Sequence, residues 1–329
     1  MHLPKIQDII CRASGKACTG LRKIRNELVR GNPFAKLSRK QKEELSAYAF
    51  IAPQFIGVIC FIMIPVVAAI VLCFTEWDFL SKIKFVGLEN IKTIFEGNKL
   101  GQALGNTLVF ALGIIPITIV ISLSLALLSN RKIRGLELYK GSLFLPMATA
   151  SVAITLVWYW IFAPNIGIIN YILSLFKISG PIWLKTSVSA KWAVIIMSVW
   201  QNMGYYYLIF LAGLKGIPKD HYEAAAIDGA NGIKRFSRIT LPMLSPTIFF
   251  VVITMSINIL NLFQEPSVLT EGGPEYATYS IVMYIYDLAF KFFRMGEAAV
   301  VSVILFIIVG LITFIQFKLS RKWVYQGED

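Results

Sequence analysis

Six long apolar segments constrain the fold of this chain more than any other feature. Each holds about 20 residues or more, and about 20 residues of helix cross the hydrocarbon core of a bilayer. Backbone groups in lipid must form hydrogen bonds within their own segment, so these segments are predicted to be helices. The predicted fold class is all-α, a polytopic membrane protein with six spans and with kinks at Pro65 and Pro116. The predicted spans are 47–74, 105–129, 141–163, 190–214, 243–265 and 296–317.

The basic residues favour one set of loops over the other. If the N-terminus is cytoplasmic, the inside segments hold 23 of the 32 lysines and arginines, and nine lie in or beside the outside loops. By the positive-inside rule both termini are predicted to be cytoplasmic. The same asymmetry explains the net charge of +13 without a nucleic-acid partner. The inside segments are 1–46, 130–140, 215–242 and 318–329.

Several kinds of chemistry are not supported by the sequence. The four cysteines form no CxxC motif, and the two histidines, His2 and His221, form no cluster, so neither a metal site nor a disulfide framework is predicted. There is no GxxxxGK[ST], GxSxG or HExxH motif. The chain is therefore not predicted to be an enzyme or to bind a cofactor. No short apolar region with a cleavage site begins the chain, so no cleaved signal peptide is expected.

Residues 1–46 are polar and basic and are predicted to be a cytoplasmic segment preceding a six-span domain over 47–329. Two interpretations of this segment stay open, a basic amphipathic helix on the membrane surface and a disordered tail.

The inside loop 215–242 has a helical pattern of its own. Pro218 is suited to a first helical turn, and Tyr222, Ala225, Ala226 and Gly229 then share one small face. Gly229 is predicted to end this helix in a left-handed conformation. Asn231 is predicted to cap a second short helix, in which Ile233, Phe236 and Thr240 share a face, and Leu241-Pro242 is expected to turn the chain into the fifth span. From periodicity alone the loop is either a structured connector or a docking element for a partner.

The spacing of this loop resembles the EAA loop of bacterial ABC-transporter importer permeases. Glu223-Ala224-Ala225 is followed after three residues by Gly229, after nine more by Ile239, and then by Leu241-Pro242. The resemblance implies a coupling helix that fits a cleft on a cytoplasmic ATPase, with a polar contact from Glu223, close packing at the alanines and a bend at Gly229. The residues that the resemblance assigns to this loop are Glu223, Ala224, Ala225, Asp228, Gly229, Ile239, Leu241 and Pro242.

Other segments are similar to the maltose and multiple-sugar permeases, and the likeness covers roughly residues 45–320. Residues 85–90 read FVGLEN, Leu145-Pro146 through Asn170 match a third-span pattern, and residues 270–274 read TEGGP, with Glu271 where glycine is usual. Residues 75–77 and the motif order resemble the first of two paired sugar permeases. The resemblance implies an importer with a second homologous permease, two cytoplasmic ATPase subunits that carry ATP and magnesium, and an extracellular solute-binding protein.

Polar and aromatic residues in the fourth and fifth spans are candidates for solute contacts. In the fourth span, Trp200, Gly204 and Tyr207 are spaced i, i+4 and i+7, so they share one helical face. In the fifth span, Asn258, Asn261 and Glu265 are spaced i, i+3 and i+7. Asn offers donors and acceptors for sugar hydroxyls, and Trp and Tyr offer flat apolar faces. By resemblance, sugar permeases bind substrate with these spans. Contacts between helices are the alternative role, and Glu265 is also placed to contact the extracellular binding protein.

Two other transport functions are less compatible with the sequence than carbohydrate import. A secondary transporter would need ionisable residues at midplane depth, and the six segments contain almost none. Glycerol phosphate permeases belong to the same family, but the spans hold no clear arginine to meet a phosphate. His221 is expected to be solvated or to contact a partner, and a role as a pH sensor is the alternative.

Overall fold

The computed structural model describes residues 38–130, 135–164 and 166–325. The predicted N-terminal segment therefore lies outside the described residues up to Leu37, as do Cys11 and Cys18. The described chain is almost entirely helical, as predicted. Its helices are α1 (Arg39–Val58), α2 (Ile64–Leu72), α3 (Glu89–Glu96), α4 (Asn98–Ser129), α5 (Leu136–Ala148), α6 (Ser151–Ile161), α7 (Ile168–Leu175), α8 (Ser187–Gly216), α9 (Lys219–Ile227), α10 (Gly232–Arg235), α11 (Leu241–Leu260), α12 (Gln264–Thr270), α13 (Ile281–Tyr286) and α14 (Met295–Ser320). Three π-helical turns are π1 (Ile59–Met63), π2 (Phe236–Thr240) and π3 (Asp287–Lys291), and two short strands are β1 (Thr75–Glu76) and β2 (Lys84–Phe85).

Five of the six predicted spans are present as single long helices, and the predicted third span is a pair of helices with a sharp bend between them. Among the described residues, five helices are long and apolar enough to cross a membrane, and α5 with α6 makes a sixth although the two are bent by 98°. The segment predicted as the third span, 141–163, is therefore divided between two helices rather than formed by one. The helix ends because Thr149 is extended, with ψ of 151°, and Ala150, with ψ of 122°, is also not helical.

The first span begins at a capping box before the predicted start at residue 47. Ser38 Oγ accepts from the Gln41 amide at 3.3 Å, and the Ser38 amide donates to Gln41 Oε1 at 2.9 Å. The turn π1 precedes Pro65, and the Ile64 amide bonds five residues back to Ile59. A wide turn accommodates a proline, whose ring would clash with a carbonyl four residues back in an α-helix.

The chain divides after Val67 into two compact units. In the first unit the described side chains are mostly exposed, and the most apolar stretch of the first span holds no buried residue. An apolar helix with this exposure is typical of lipid contact.

In the second unit, α8 is the most deeply buried span, and α4 and α5 pack on it. Gly113 of α4 faces the Ile195 side chain, and Ser122 Oγ donates to the Met203 carbonyl at 2.8 Å, so α4 and α8 run parallel. Tyr139 of α5 meets Tyr207 of α8 edge-on at 6.0 Å between ring centroids.

α11 and α14 complete the second unit. Gly213 of α8 lies against Thr247, and Tyr206 of α8 lies against Asn258, so α11 runs antiparallel to α8. Gln316 Nε2 of α14 donates to Ser256 Oγ at 2.8 Å, and the Tyr325 amide donates to Ser245 Oγ at 2.8 Å. These contacts make α14 antiparallel to α11, so α4, α8 and α14 finish at the same end of the unit. We call it the α9 end, because α9 follows α8 there.

The connectors at the opposite end are held by polar contacts to the backbone. Asn90 Nδ2 donates to the carbonyls of Cys73 and Thr75 at 3.0 and 2.9 Å. Gly87, with φ of +61°, makes the turn that leads into α3. A side chain at Gly296 would overlap the Thr75 carbonyl, so α14 begins in close contact with this connector. The FVGLEN segment thus fixes the first connector to the start of α14.

Candidate functional site

The loop between α8 and α11, residues 217–240, is called the α9 loop. It consists of a helix, a glycine turn and a second helix that is continuous with the span. Pro218 is extended, with ψ of 138°, and lies one residue before α9 rather than within its first turn. At the other end of α9 the Ala230 amide donates to the Ala225 carbonyl at 2.9 Å, and the Gly229 amide donates to the Ala226 carbonyl at 3.1 Å. With φ of +69° at Gly229, this is a Schellman motif, and the predicted helix end is confirmed.

The second helix begins as predicted but does not end at Leu241-Pro242. Asn231 Oδ1 accepts from the Lys234 amide at 2.9 Å and caps α10. α10, π2 and α11 then form one continuous helix, Gly232–Leu260. The expected turn at Leu241-Pro242 is therefore wrong, because π2 widens the helix ahead of Pro242, with the Leu241 amide bonded to the Phe236 carbonyl.

The α9 loop presents a mixed polar and apolar surface. Glu223, Ala224 and Asp228 are exposed. Ile227 and Ile233, on either side of the glycine turn, are 88% and 79% exposed. His221 is also exposed. A side chain added at Gly229 or Gly232 would meet nothing within 4 Å, so another chain has room to approach the turn.

The remaining residues of the spacing pattern lie in the continuous helix. Ile239 is half-buried within π2, Leu241 is 40% exposed and Pro242 is exposed. They form the base of the loop, and Glu223 to Gly229 form its tip.

Two of the candidate solute residues are buried against α5. Tyr207 is fully buried, and its hydroxyl has no hydrogen-bond partner among the described residues. Gly204 is buried so closely that a Cβ there would overlap the Leu143 carbonyl and lie 3.2 Å from the Phe144 nitrogen. Both residues therefore act in packing between α5 and α8 in this structure.

Asn258 meets a residue that the sequence analysis did not select. Its Nδ2 donates to the hydroxyl of Tyr206 at 3.4 Å, whereas Tyr207 faces α5. Tyr205, Tyr206 and Tyr207 are consecutive, so each points about 100° from the next around α8. The sequence signal for this contact is the run of three tyrosines. Which of the three tyrosines meets Asn258 is shown only by the position of α11.

Asn261 and Glu265 do not continue the helical face of Asn258. The helix ends at Leu260, and Asn261 is its C-cap, with Nδ2 bonded to the Ile257 carbonyl at 2.8 Å. Asn261 lines a cavity of about 330 Å³ together with Ser302 and apolar residues of α13 and α14. Glu265 lies in the separate helix α12, where burial raises the pKa of its carboxyl above the ordinary value. The predicted i, i+3, i+7 face is therefore wrong at Glu265.

Trp200, near the middle of α8, belongs to a cluster of aromatic residues. It meets Trp158 edge-on at 5.5 Å between ring centroids, and Phe162 packs against both Trp158 and Trp183 at 5.2 Å. Trp183 Nε1 donates to Asn170 Oδ1 at 2.9 Å. Trp200 is half-buried, so part of its ring remains available for contact.

With the loop and the spans placed, comparisons with known proteins define the family. A family model described as "binding-protein-dependent transport system inner membrane component" matches residues 118–324. The chain belongs to this family. It is thus an inner-membrane permease, and the match includes α5 through α14 and the whole α9 loop.

Relatives match nearly the full length of this permease. It is 40% identical to the probable ABC transporter permease protein YesP of Bacillus subtilis, over 87% of this chain and 93% of that protein. It is 32% identical to the trehalose/maltose transport system permease protein MalF of Thermococcus litoralis, over 86% of this chain and 96% of that one.

A solved structure shares the fold of the permease. It is described as a bacterial alginate ABC transporter in complex with an alginate pentasaccharide-bound periplasmic protein. The match has a TM-score of 0.78 at 21% identity and covers 89% of this chain and 100% of that one.

Proposed function

We propose that this permease is the membrane-spanning subunit of an ATP-driven importer and that the α9 loop docks a separate ATPase subunit. The observation that carries the proposal is the exposed, capped tip from Glu223 to Gly229, at the end where α4, α8 and α14 finish. Exposed Ile227 in the tip, with exposed Ile233 just after it and exposed carboxylates beside it, suits a partner cleft that is apolar at its centre and polar at its rim.

The loop is also joined directly to two spans. Two residues separate the end of α8 at Gly216 from the start of α9 at Lys219, and α11 continues the helix that begins after the glycine turn. A partner that moves the tip therefore moves two spans of the permease, as an ATP-driven transporter requires.

The orientation of the permease and the other subunits of the importer are proposed from the family and from the charge distribution. The α9 end would face the cytoplasm with both termini, and the opposite end would meet the extracellular solute-binding protein. A second, homologous permease would complete the pathway, and two ATPase subunits would carry ATP and magnesium. This chain would bind no cofactor of its own.

The proposed cargo is a carbohydrate. The similarity to the trehalose/maltose permease MalF supports this class of cargo. The neutral polar groups near the end of α11 also support it. Asn258, with Tyr206, and Asn261, beside its cavity, offer amide and hydroxyl groups to a sugar. Trp200 offers an aromatic face, whereas Gly204 and Tyr207 would reach solute only if α5 moved away.

Docking is tested by measuring the affinity of the ATPase subunit for the purified permease. Glu223→Gln removes the charge of the Glu223 carboxylate at the tip and should weaken binding of the ATPase subunit. Glu96→Gln changes an exposed glutamate at the opposite end and should leave that binding unchanged. Both variants should reach the membrane in equal amount. Equal affinity for wild type and Glu223→Gln would remove Glu223 from the interface, and failure of the wild-type permease to bind any ATPase subunit would refute the docking function.

The cargo is tested through the extracellular binding protein that is proposed to deliver it to the permease. Sugars and glycerol phosphate are compared for binding to that protein and for uptake by reconstituted vesicles. Asn258→Ala and Asn261→Ala should raise the KM for sugar uptake without changing ATPase binding. Tight binding of glycerol phosphate and of no sugar would refute the carbohydrate assignment.

A further inference from the structure

Tyr222 and Thr240 close the α9 loop across 18 residues of sequence. The Tyr222 hydroxyl lies 2.9 Å from Thr240 Oγ1. Thr240 is only 5% exposed, at the end of π2. Tyr222 is half-buried and packs against the apolar core that α4, α8 and α11 share. The contact therefore joins α9 directly to the base of α11.

This contact is one link in a closed ring of hydrogen bonds. Thr240 Oγ1 donates to the Arg235 carbonyl at 3.4 Å, and Arg235 Nε donates to the Ala230 carbonyl at 2.8 Å. The Ala230 amide in turn donates to the Ala225 carbonyl in α9. A hydroxyl has a single hydrogen, so Thr240 donates to Arg235 and accepts from Tyr222.

We propose that this ring makes the α9 loop and the start of α11 one rigid body, with Tyr222 and Thr240 as positioning residues that couple ATPase motion to the span. The inference rests on the proposed docking of an ATPase subunit at the tip. Beyond docking, it explains how a force that is applied at the tip reaches α11.

The ring is needed because the backbone path between tip and span is weak. That path runs through Gly229, which has the conformational freedom of glycine and lies where an added Cβ would meet nothing within 4 Å. A push on α9 could be absorbed by rotation at this glycine. The Tyr222–Thr240 bond bypasses the turn, so that α9 and α11 move together.

The test compares solute imported per ATP hydrolysed in vesicles that contain the permease and its partners. Tyr222→Phe and Thr240→Val each remove the bond, whereas Thr240→Ser keeps the hydroxyl. One net hydrogen bond changes an equilibrium by about fivefold, so solute per ATP should fall by up to about fivefold in the first two variants. It should stay near the wild-type value in Thr240→Ser and in the matched control Tyr171→Phe, an exposed tyrosine of α7.

The double variant Tyr222→Phe/Thr240→Val adds a second check. Because Tyr222→Phe and Thr240→Val both remove the Tyr222–Thr240 bond, and Thr240→Val also removes the bond to the Arg235 carbonyl, the double variant should be no worse than Thr240→Val alone. ATPase binding and the amount of permease in the membrane should remain at the wild-type level in all of them. These readouts separate coupling from folding.

The outcomes distinguish this inference from the docking function. If ATPase binding is kept and solute per ATP is unchanged, the ring has no role in coupling, although docking stands. If the variants lose transport only in proportion to lost permease in the membrane, the contact is structural and the inference is wrong. If wild type binds no ATPase subunit, both proposals are overturned.

Discussion

Replacing Gly229 by alanine isolates the conformation of the turn from its contacts. The residue has φ of +69°, and a Cβ there would meet nothing within 4 Å. Contacts therefore add nothing to the effect, which comes from the left-handed backbone, disfavoured for alanine by about 1–2 kcal/mol. That energy reduces the population of the turn relative to other loop conformations by a factor of roughly 5 to 30.

If the ATPase subunit binds only the Schellman form, its apparent Kd should rise by up to the same roughly 5- to 30-fold factor. The assay is binding of the purified ATPase subunit to the permease in detergent or lipid nanodiscs. Asparagine adopts the left-handed region more readily than alanine, so affinity should fall in the order glycine, asparagine, alanine at position 229.

Gly216→Ala is the matched control for this series. Gly216 ends α8, three residues before α9, and a Cβ there also meets nothing within 4 Å, but its backbone is not left-handed. Its affinity should equal that of wild type. Equal loss in Gly216→Ala and Gly229→Ala, or a weaker affinity for asparagine than for alanine at 229, would refute the argument from the left-handed turn.

Two further predictions concern the spans and the opposite end. Gly204→Ala should lower the stability of the permease by about 1–3 kcal/mol, because the new Cβ would overlap the Leu143 backbone; an unchanged thermal midpoint with a raised KM for solute would instead indicate a solute contact. Burial raises the pKa of Glu265 above its ordinary value of 4.5, so the folded state binds this proton more tightly than the unfolded state. That stabilisation is complete below pH 4.5 and is lost as pH rises through the raised pKa. The midpoint of thermal unfolding of Glu265→Gln should therefore equal that of wild type at about pH 4 and be higher than that of wild type at about pH 8. The same difference in midpoint at both pH values would contradict the assignment.

The spans could be predicted from sequence because length and apolarity alone decide them. A segment of about 20 apolar residues has few alternatives to a helix in lipid. The helix end at Gly229 and the cap at Asn231 were also predictable, since each depends on one residue type at a local backbone position.

Three features could not be predicted, because each depends on backbone geometry or tertiary contacts that the residue pattern does not specify. The break at Thr149 and Ala150 lies inside an apolar segment, so hydropathy does not reveal it. Tyr206 rather than Tyr207 meets Asn258 because of the position of α11. Thr240 was placed on the face of Ile233 and Phe236, but its Oγ1 bonds to the Arg235 carbonyl five residues back, since π2 shifts the helical phase by one residue.

The phase shift at π2 has a consequence for changes in chain length. A π turn accommodates an extra residue within one turn, so the helices on either side keep nearly the angular relation they would have without that residue. Deleting one residue within Phe236–Thr240 would therefore restore α-helical spacing and leave the α9 loop pointing in nearly the same direction. The same deletion within α11, between Leu244 and Ile259, would rotate the loop by about 100° relative to the core. The turn thus lets this helix tolerate the deletion of a single residue between the span and the loop without changing where the loop points.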